Sequence, residues 1–488
     1  MNYRIVSRVL GTILLVFSLS KLVLVPVALI YGEYRELLAV LESLLIGVAF
    51  GGLLYVAGKQ ENELLFRREA LAVVGLSWIL VAAIGALPFL LGGMVDGYTD
   101  AYFESMSGLT TTGSSILSDI EGQARTMLFW RSFLHFVGGL GIVVFFVAIL
   151  PVLGVGGKTL IRQEITGPVP DSLTPRVKDT AVALSKIYIG FNVLEAVILR
   201  LCGMDTFDAI NHAMATIATG GFSTRNTSVL YYTPLIEWVL IVFMYLASAN
   251  FSLHLRFLQG ERWCYFKDSE FRWFTAIVLS ASVFFAVVLH LAGTRAVSHP
   301  GEFNARDGLF TTLTVISTTG FGTVDFDQWP AACKVVIVAL MFLGGMAGST
   351  AGGMKVIRGI ILFRSVIQQL CRETSPRLVR LVKIDGKALD PRTQADTYAF
   401  FFAYIAVFVL GSLLVTLTAP DHSLVTCVTS VATCLNNVGP GLEAVGPTMN
   451  FSGLPAAAKW ILSLCMLMGR LELYAILIIL NPSFWLSR

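Results

Sequence analysis

Four short segments of the chain combine hydroxyl or amide side chains with glycine in a similar order. They read FESMSGLTTTGSS, INHAMATIATGGF, FTTLTVISTTGFG and TSVATCLNNVGPG over residues 103–115, 210–222, 310–322 and 429–441. Aligned without gaps, they share one glycine column, made up of Gly113, Gly220, Gly320 and Gly439. A single shared glycine would carry little weight, but the same column recurs four times in similar surroundings. The pattern indicates an internal repeat.

The residue types in these segments suit the binding of a cation by backbone oxygens. Glycine adopts positive φ without steric cost, so it lets carbonyl groups point toward an axis. Four loops around one axis can offer rings of carbonyl oxygens, which is how K⁺-selective filters replace the hydration shell of the ion. The C-terminal ends of short helices aimed at that axis would also favour a cation. The alternative is that the small residues only allow close helix packing, but four aligned copies favour the ion pathway.

The composition places these segments in a membrane protein. Of the 488 residues, 55% are hydrophobic and only 14% are charged, and the mean hydropathy is +0.74. A soluble domain carries about 25% charged residues. The apolar runs lack the alternation of barrel strands, so we expect helices. The ten apolar runs suitable for spans are 9–30, 37–57, 70–91, 125–150, 180–201, 234–257, 272–292, 331–363, 397–418 and 456–480.

Basic residues are concentrated in alternate connectors between the apolar runs. The longest of these connectors, 364–396, is rich in Arg and Lys and suits contact with anionic lipid. By the positive-inside rule the basic connectors are cytoplasmic, so both termini lie in the cytoplasm and the four glycine segments enter from outside. A net charge of +3, without a basic run interleaved with aromatics, gives no reason to expect nucleic acid. The base-poor connectors are 92–124, 202–233, 293–330 and 420–458.

A further glycine-rich segment interrupts the eighth apolar run. It reads LGGMAGSTAGGMK over 343–355, and glycine at this density makes a poor helix, so we expect unwound backbone from Gly344 to Gly353. The last apolar run contains Arg470, and an ionisable group at membrane depth is costly and usually functional. Arg470 could instead pair with Glu472 or reach toward the lipid headgroups, but residues two apart on a helix do not face each other. We expect Arg470 to face the pore.

Other motifs give only weak signals for enzyme chemistry. GVGGKT at 154–159 ends like a phosphate-binding loop, but Val152 stands where that motif needs its first glycine. The six histidines lack paired metal-ligand spacing and the seven cysteines form no C-x-x-C pair, so we expect neither an enzyme nor a transition-metal site. His135 and His212 are expected to pack or to form hydrogen bonds. A coupled carrier is an alternative class, although inverted repeats would be expected there.

These motifs resemble those of the Trk/Ktr/HKT superfamily of potassium-translocating membrane subunits, most closely its TrkH/TrkG branch. The resemblance covers nearly the whole chain, including the two apolar runs that Ktr-type subunits generally lack. It implies an all-α polytopic membrane protein, with four pseudo-symmetric membrane–pore-loop–membrane repeats around one pore plus two extra N-terminal transmembrane helices. The implied divisions are the N-terminal pair at 1–68, pore repeat 1 at 69–153, repeat 2 at 154–259, repeat 3 with the basic connector at 260–395, and repeat 4 at 396–488.

The resemblance also implies a site and partners. K⁺ would be the transported ion, selected by the four loops, and no cofactor would be held in this chain. The glycine-rich segment would be an intramembrane loop that obstructs ion passage below the filter, with Arg470 beside it. The implied assembly is a homodimer in the inner (plasma) membrane, bound on its cytoplasmic face by a TrkA-like ring of nucleotide-binding subunits that respond to ATP, ADP or NAD(H). Both a channel and a symporter coupled to H⁺ or Na⁺ are compatible with these residues. The implied filter residues are Thr111, Thr112, Gly113, Ser114, Ala218, Thr219, Gly220, Gly221, Thr318, Thr319, Gly320, Phe321, Asn437, Val438, Gly439 and Pro440. The implied gate residues are Gly344, Gly345, Gly348, Ser349, Thr350, Gly352, Gly353 and Arg470.

Overall fold

The computed structural model describes residues 1–58, 67–148, 174–293, 305–375 and 381–486. Within these ranges almost all regular structure is α-helical, as the apolar runs predict. In chain order the helices are α1 Tyr3–Ser20, α2 Leu24–Tyr31, α3 Tyr34–Ala57, α4 Arg67–Gly85, α5 Leu87–Leu91, α6 Tyr98–Leu109, α7 Arg125–Ala148, α8 Thr174–Leu201, α9 Thr206–Ile217, α10 Pro234–Ala247, α11 Phe251–Leu258, α12 Cys264–Lys267, α13 Ser269–Leu291, α14 Ala305–Ile316, α15 Ala331–Leu343, α16 Val356–Thr374, α17 Pro391–Thr418, α18 Leu424–Asn436, α19 Ala456–Arg470, α20 Tyr474–Leu480 and α21 Pro482–Leu486.

The spans differ from the sequence prediction in their continuity. Seven helical segments of the described ranges are long and apolar enough to cross a membrane, and an eighth, formed by α10 and α11, is bent by 94°. The other two predicted spans are interrupted, because non-helical residues 344–355 separate α15 from α16 and a turn at 471–473 separates α19 from α20. The eighth and tenth apolar runs are therefore not single helices. The expected unwinding from Gly344 to Gly353 is confirmed.

Each of the four repeats places a short pore helix between two longer elements. The pore helices α6, α9, α14 and α18 have 12 or 13 residues, which is too short for a hydrocarbon layer of about 30 Å at about 1.5 Å per residue. Each pore helix packs against the helices before and after it in its own repeat: α4 and α7, α8 and α10, α13 and α15, or α17 and α19. This is the expected membrane–pore-loop–membrane arrangement.

The helices α1 and α3 pack closely together beside the first repeat. Glycine allows the approach, because a Cβ on Gly11 would lie 2.4 Å from the backbone nitrogen of Tyr55. A 3-10 turn that begins at Lys21 breaks the first span. The buried Lys21 Nζ donates to the carbonyl oxygens of Ser43 at 3.1 Å and Ile84 at 3.0 Å. Because Ile84 belongs to α4, Lys21 ties the N-terminal pair to the first repeat.

Many polar side chains are buried inside the protein, and many large apolar ones are exposed on its surface. Ile30, Leu201 and Phe402 are 75%, 80% and 78% exposed, whereas Thr111 and Thr319 in the loops are fully buried. Exposed apolar surface on this scale would be unusual for a monomer in water, and it fits contact with lipid. The buried polar groups therefore need partners inside the protein.

A short antiparallel hairpin lies between α16 and α17. Its strands are β1 Lys383–Ile384 and β2 Lys387–Ala388. The apolar side of the hairpin, including Val382, packs against Ile357 and Ile361 of α16. The described part of the basic connector is thus attached to the helix that follows the glycine-rich segment.

Candidate functional site: an ion pathway

The four pore helices end in the same backbone conformation. Close to each helix end one residue is left-handed, and three of these four are threonine, for which that conformation is unfavourable. Strain of this kind is found where the surrounding structure fixes the backbone for a function. The φ angles are 52° at Thr111, 56° at Thr219, 57° at Thr318 and 54° at Asn437. The next amide in each loop bonds the carbonyl oxygen five residues earlier: Thr112 to Ser107 at 2.9 Å, Gly220 to Ala215 at 2.8 Å, Thr319 to Thr314 at 2.9 Å and Val438 to Thr433 at 3.0 Å.

A glycine with positive φ follows two positions after each left-handed residue. The φ angles are 81° at Gly113, 75° at Gly221, 80° at Gly320 and 108° at Gly439. The glycine of the second loop in this column is therefore Gly221, and the prediction that Gly220 occupies it is wrong. In the same register Thr219 to Phe222 correspond to Thr111 to Ser114, so the expected filter residue Ala218 lies one position before them. Because Gly220 and Gly221 are adjacent, an alignment without gaps can place either of them in the glycine column. Only the position at which α9 ends decides between the two.

The column glycines form a closed ring of contacts between the loops. A Cβ at Gly113 would lie 2.2 Å from Gly220 O, at Gly221 1.9 Å from Thr319 O, at Gly320 2.0 Å from Val438 O, and at Gly439 3.0 Å from Thr112 O. The contacts run from the first loop to the second, third and fourth and back to the first. The four loops therefore surround one axis in chain order. The column glycine of each loop lies against a carbonyl oxygen of the next loop, and that oxygen belongs to the residue just before the next column glycine. A side chain in this column would push two loops apart.

A buried ion pair holds the first loop. Arg131 Nε of α7 lies 2.7 Å from Glu104 Oε1 of α6, and both side chains are almost fully buried. The Glu104 carboxylate also accepts hydrogen bonds from the Ser115 hydroxyl and the Ile116 amide, each at 3.0 Å. Arg131 Nη1 donates to the carbonyl oxygen of Ser223 in the second loop at 3.2 Å. One ion pair thus fixes the first loop to its pore helix and to the second loop.

His135 of α7 supports the second loop from behind. Its Nδ1 lies 2.7 Å from the carbonyl oxygen of Gly108, and its Nε2 lies 3.2 Å from the backbone nitrogen of Phe222. A backbone N–H only donates, so Nε2 is the acceptor and Nδ1 carries the hydrogen. A Cβ on Gly220 would lie 2.5 Å from the imidazole ring, which explains a glycine there without positive φ. The prediction that His135 forms hydrogen bonds is confirmed.

A second set of polar contacts holds the outer part of the second loop. Asp208 of α9 lies 2.8 Å from Arg225 Nη2. His212, one turn further along α9, contacts the Asp208 carbonyl oxygen at 2.8 Å and the Ser223 hydroxyl at 3.0 Å. His212 is thus also a hydrogen-bonding residue, as predicted.

The third and fourth loops have supports of other kinds. In the third repeat the support acts on the pore helix: Arg306, near the start of α14, lies 2.8 Å from Glu237 of α10 in the second repeat, and this ion pair is almost fully buried. In the fourth loop Asn437 Nδ2 donates to the Thr112 hydroxyl and to the Met466 carbonyl oxygen, both at 2.9 Å. The amide of Asn437 therefore links the fourth loop to the first and closes the ring a second time.

The glycine-rich segment lies directly against the ends of the pore helices. The Gly352 amide donates to the Thr318 hydroxyl at 2.6 Å, and the Thr350 hydroxyl donates to the carbonyl oxygen of Ile217 at 2.9 Å. A Cβ on Gly352 would lie 2.5 Å from the carbonyl oxygen of Asn436. The segment thus contacts the second and fourth repeats at residues just before their left-handed residues, and the third repeat at its left-handed residue Thr318.

Arg470 binds the glycine-rich segment. Its side chain is buried, Nη1 donates to the Thr350 carbonyl oxygen at 2.6 Å, and Nη2 lies 3.5 Å from the Gly138 carbonyl oxygen. The expectation that Arg470 does not pair with Glu472 agrees with the geometry, because the Glu472 carboxylate lies 2.5 Å from Arg358. A cationic group therefore sits between the first repeat and the glycine-rich segment.

Comparisons with known proteins agree with this geometry. The family described as "TrkH: Cation transport protein" matches residues 37–485. The chain belongs to the TrkH family. It is 37% identical to the Trk system potassium uptake protein TrkH of Escherichia coli K12, over 99% of this chain and 100% of that protein, and 32% identical to TrkG of the same strain, over 100% and 99%. The crystal structure of the potassium transporter TrkH from Vibrio parahaemolyticus is 36% identical and matches 99% of this chain and 100% of that one, with a TM-score of 0.90.

Membership of the TrkH family confirms several sequence predictions. It confirms the all-α polytopic membrane fold, and it classifies the chain with transport proteins rather than enzymes.

Among the described residues no group of three or more His, Cys, Asp or Glu side chains is placed to hold a metal ion. The GVGGKT motif at 154–159 and the boundary between repeats 1 and 2 lie outside the described residues.

Sequence analysis missed the acidic groups that hold the glycine-rich segment of this TrkH-family chain. Glu270 Oε1 of α13 accepts hydrogen bonds from the Ala347 amide at 2.9 Å and the Ile357 amide at 3.1 Å. It therefore joins the middle of the segment to the start of α16. Glu472 lies in the turn between α19 and α20, and its ion pair with Arg358 joins that turn to α16, the helix that follows the segment. An acidic residue inside or next to an apolar run was the available signal for both.

Proposed function

We propose that this chain is the K⁺-translocating subunit of a Trk-type uptake system and that its four loops form the selectivity filter. The relatives that are named potassium uptake proteins support the substrate. The closed ring of glycine–carbonyl contacts is the observation that carries the filter assignment. Selection would rest on backbone oxygens, which replace the hydration shell of K⁺. In the register of the helix ends, the filter comprises residues 111–114, 219–222, 318–321 and 437–440.

Ion flux and selectivity test the filter directly. Purified protein in liposomes should take up ⁸⁶Rb⁺, and bi-ionic reversal potentials should show a preference for K⁺ over Na⁺. Gly113→Ser should reduce that preference, because its Cβ would lie 2.2 Å from a carbonyl oxygen of the second loop. Gly52→Ser is the matched control, since a Cβ there meets nothing within 4 Å. A folded Gly113→Ser variant with the wild-type reversal potential would show that the filter lies elsewhere.

We further propose that the glycine-rich segment and Arg470 form the gate, with the residues predicted above. The guanidinium is a cation in the proposed path of a cation. At about 4 Å and an effective dielectric constant of about 20, two like charges repel by about 4 kcal/mol. A barrier of that height slows permeation roughly a thousandfold. The hydrogen bond to Thr350 also holds the segment in place.

Two substitutions separate the charge of Arg470 from its contact. Arg470→Ala removes both and should raise basal flux strongly, whereas Arg470→Lys keeps the charge and should raise it less. Shortening of the segment 344–353 should also raise flux, and its effect should be less than additive with Arg470→Ala because both remove one closed arrangement. Unchanged basal flux in folded Arg470→Ala protein would make Arg470 a structural residue.

The setting of the subunit is part of the proposal. We infer a homodimer in the inner membrane with cytoplasmic termini, regulated by a separate nucleotide-binding subunit that binds ATP, ADP or NAD(H). The word "system" in the names of the relatives supports a further component. The mass in mild detergent and recovery of a cytoplasmic partner test this setting, and a monomer without a partner would contradict it. Uptake that requires an imposed H⁺ gradient would favour the alternative, a coupled symporter, over a channel.

A further inference from the structure

One carboxyl group of the membrane-spanning helices has no evident partner. Glu195 lies in α8, is fully buried, and neither Oε1 nor Oε2 has a hydrogen-bond partner among the residues that the structure describes. Other buried acids are satisfied: Glu104 binds Arg131, and Glu270 accepts two backbone amides. Glu195 therefore differs in kind from the acids that brace the loops.

The groups near Glu195 are acceptors or are engaged elsewhere. The polar group that acts on it is the Thr216 hydroxyl of α9, but the only hydrogen of this hydroxyl is donated to the His212 carbonyl oxygen at 2.7 Å. Asn192 lies three residues earlier, a spacing that puts both on one helix face. Its Nδ2 donates to the Tyr188 carbonyl oxygen at 2.8 Å, and its buried Oδ1 has no donor among the described residues.

No described charge neutralises Glu195. The helices packed against α8 are α7, α9, α10 and α11. Their buried titratable side chains are bound elsewhere: Arg131 to Glu104, His135 to Gly108 and Phe222, Asp208 to Arg225, His212 to Ser223, Glu237 to Arg306, and His254 to Tyr265. On α8 itself the Tyr188 hydroxyl donates to the Phe136 carbonyl oxygen, Arg200 lies against the Met204 carbonyl oxygen, and Lys186 is exposed.

A bare carboxylate in this place would be very unfavourable, because burial of an uncompensated charge costs several kcal/mol. The site therefore needs a positive species. An alkali cation would need a cage of oxygens such as the filter supplies, and Glu195 with Asn192 offers only three. A proton needs a single oxygen, and the neutral carboxyl group can donate to the free lone pairs of Thr216. The chemistry favours a proton.

The position of Glu195 connects this proton to the ion pathway. Thr216 lies in the last turn of pore helix α9, and the next residue, Ile217, accepts the hydrogen bond from Thr350 of the glycine-rich segment. Two residues further on, Thr219 begins the second loop. Loss of the proton would place a negative charge near the carbonyl end of α9, which carries the negative end of the helix dipole.

We propose that Glu195 is a proton-binding site whose occupancy controls permeation through pore helix α9. This rests on the proposed function as a K⁺ pathway and adds a regulator to it. The protonated form maintains the described contact between α9 and the glycine-rich segment. Deprotonation repels the end of α9, weakens the Ile217–Thr350 contact and opens the pathway, so flux rises with pH.

The test is ⁸⁶Rb⁺ flux in liposomes of wild-type protein, Glu195→Gln and Glu195→Asp, from acidic to alkaline pH. Wild-type flux should rise about 5- to 30-fold, the effect of one charge at a partly buried helix end. Glu195→Gln, which resembles the protonated form, should stay at the acidic level throughout. Glu195→Asp should keep the rise with a displaced midpoint. Asp179→Asn is the matched control, because Asp179 is an exposed carboxylate on the same helix, and it should behave as wild type.

The outcomes separate the two proposals. Absence of ⁸⁶Rb⁺ flux in wild-type protein at every pH overturns the proposed function itself. Wild-type flux that does not change with pH, or a full pH response in Glu195→Gln, overturns the proton site alone. If Glu195→Gln does not fold, Glu195→Asp decides, and an undisplaced midpoint in that variant also overturns the site.

Discussion

Gly221→Ala is the sharpest test of the loop register. The added Cβ would lie 1.9 Å from the Thr319 carbonyl oxygen, whereas real Cβ contacts below 3.0 Å are essentially never seen. The second and third loops must therefore separate by at least about 1.1 Å, the difference between 3.0 and 1.9 Å. The φ of 75° at this position adds a second penalty, because a left-handed non-glycine residue costs about 1–2 kcal/mol.

The expected result is a loss of selectivity rather than a loss of the protein. A free energy of about 1–2 kcal/mol corresponds to a factor of about 5–30 in an equilibrium. If that strain is relieved by moving the Thr319 carbonyl away from the axis, the K⁺/Na⁺ permeability ratio should fall by at least about fivefold. Bi-ionic reversal potentials measure the ratio, and thermal unfolding in detergent reports whether the variant is folded.

Gly190→Ala is the matched control for Gly221→Ala. Gly190 lies in α8 of the same repeat, its added Cβ would meet nothing within 4 Å, and its φ is not positive. Alanine in a helix is more favourable than glycine by about 0.5–1 kcal/mol, so this variant should unfold no more easily than wild type and keep its selectivity. A folded Gly221→Ala variant with the wild-type permeability ratio would refute both the register and the ring.

Three further predictions concern the side chains behind the loops and the gate. Arg131→Met should lower the free energy of unfolding by about 3–5 kcal/mol, because it leaves Glu104 buried without its cation. Chemical or thermal unfolding measures this loss, and part of the stability should return in the double variant Arg131→Met/Glu104→Gln. His135→Gln should keep the K⁺ preference, because the amide also offers one donor and one acceptor. His135→Leu should lose that preference, because each backbone group left without a hydrogen bond costs about 1–3 kcal/mol. Equal reversal potentials for the two variants would contradict this prediction. Glu270→Leu should raise basal ⁸⁶Rb⁺ flux by releasing two amides of the gate, and Glu270→Gln, whose amide oxygen can accept both bonds, should not.

The sequence predicts those features that follow from backbone chemistry. Glycine density predicts the unwound segment between α15 and α16, since no tertiary contact was needed to disfavour a helix there. Segment length predicts the pore helices, which are too short to span. The position of Gly221 was not predictable in the same way, because Gly220 and Gly221 satisfy the column equally. The choice depends on where α9 ends, and that is set by hydrogen bonds.

The side chains that support the loops could not be predicted from the internal repeat, and the reason is physical. Every loop faces the same axis, so the backbone pattern recurs in all four. The outer sides of the repeats face different helices, and each is held by different chemistry. The supports are the Glu104–Arg131 ion pair in the first repeat, His135 and Asp208 in the second, the ion pair of Arg306 on the pore helix in the third, and the Asn437 amide in the fourth. Substitutions in the glycine column should therefore have similar effects in every repeat, whereas substitutions of the supports should affect selectivity and stability in proportions that differ from loop to loop.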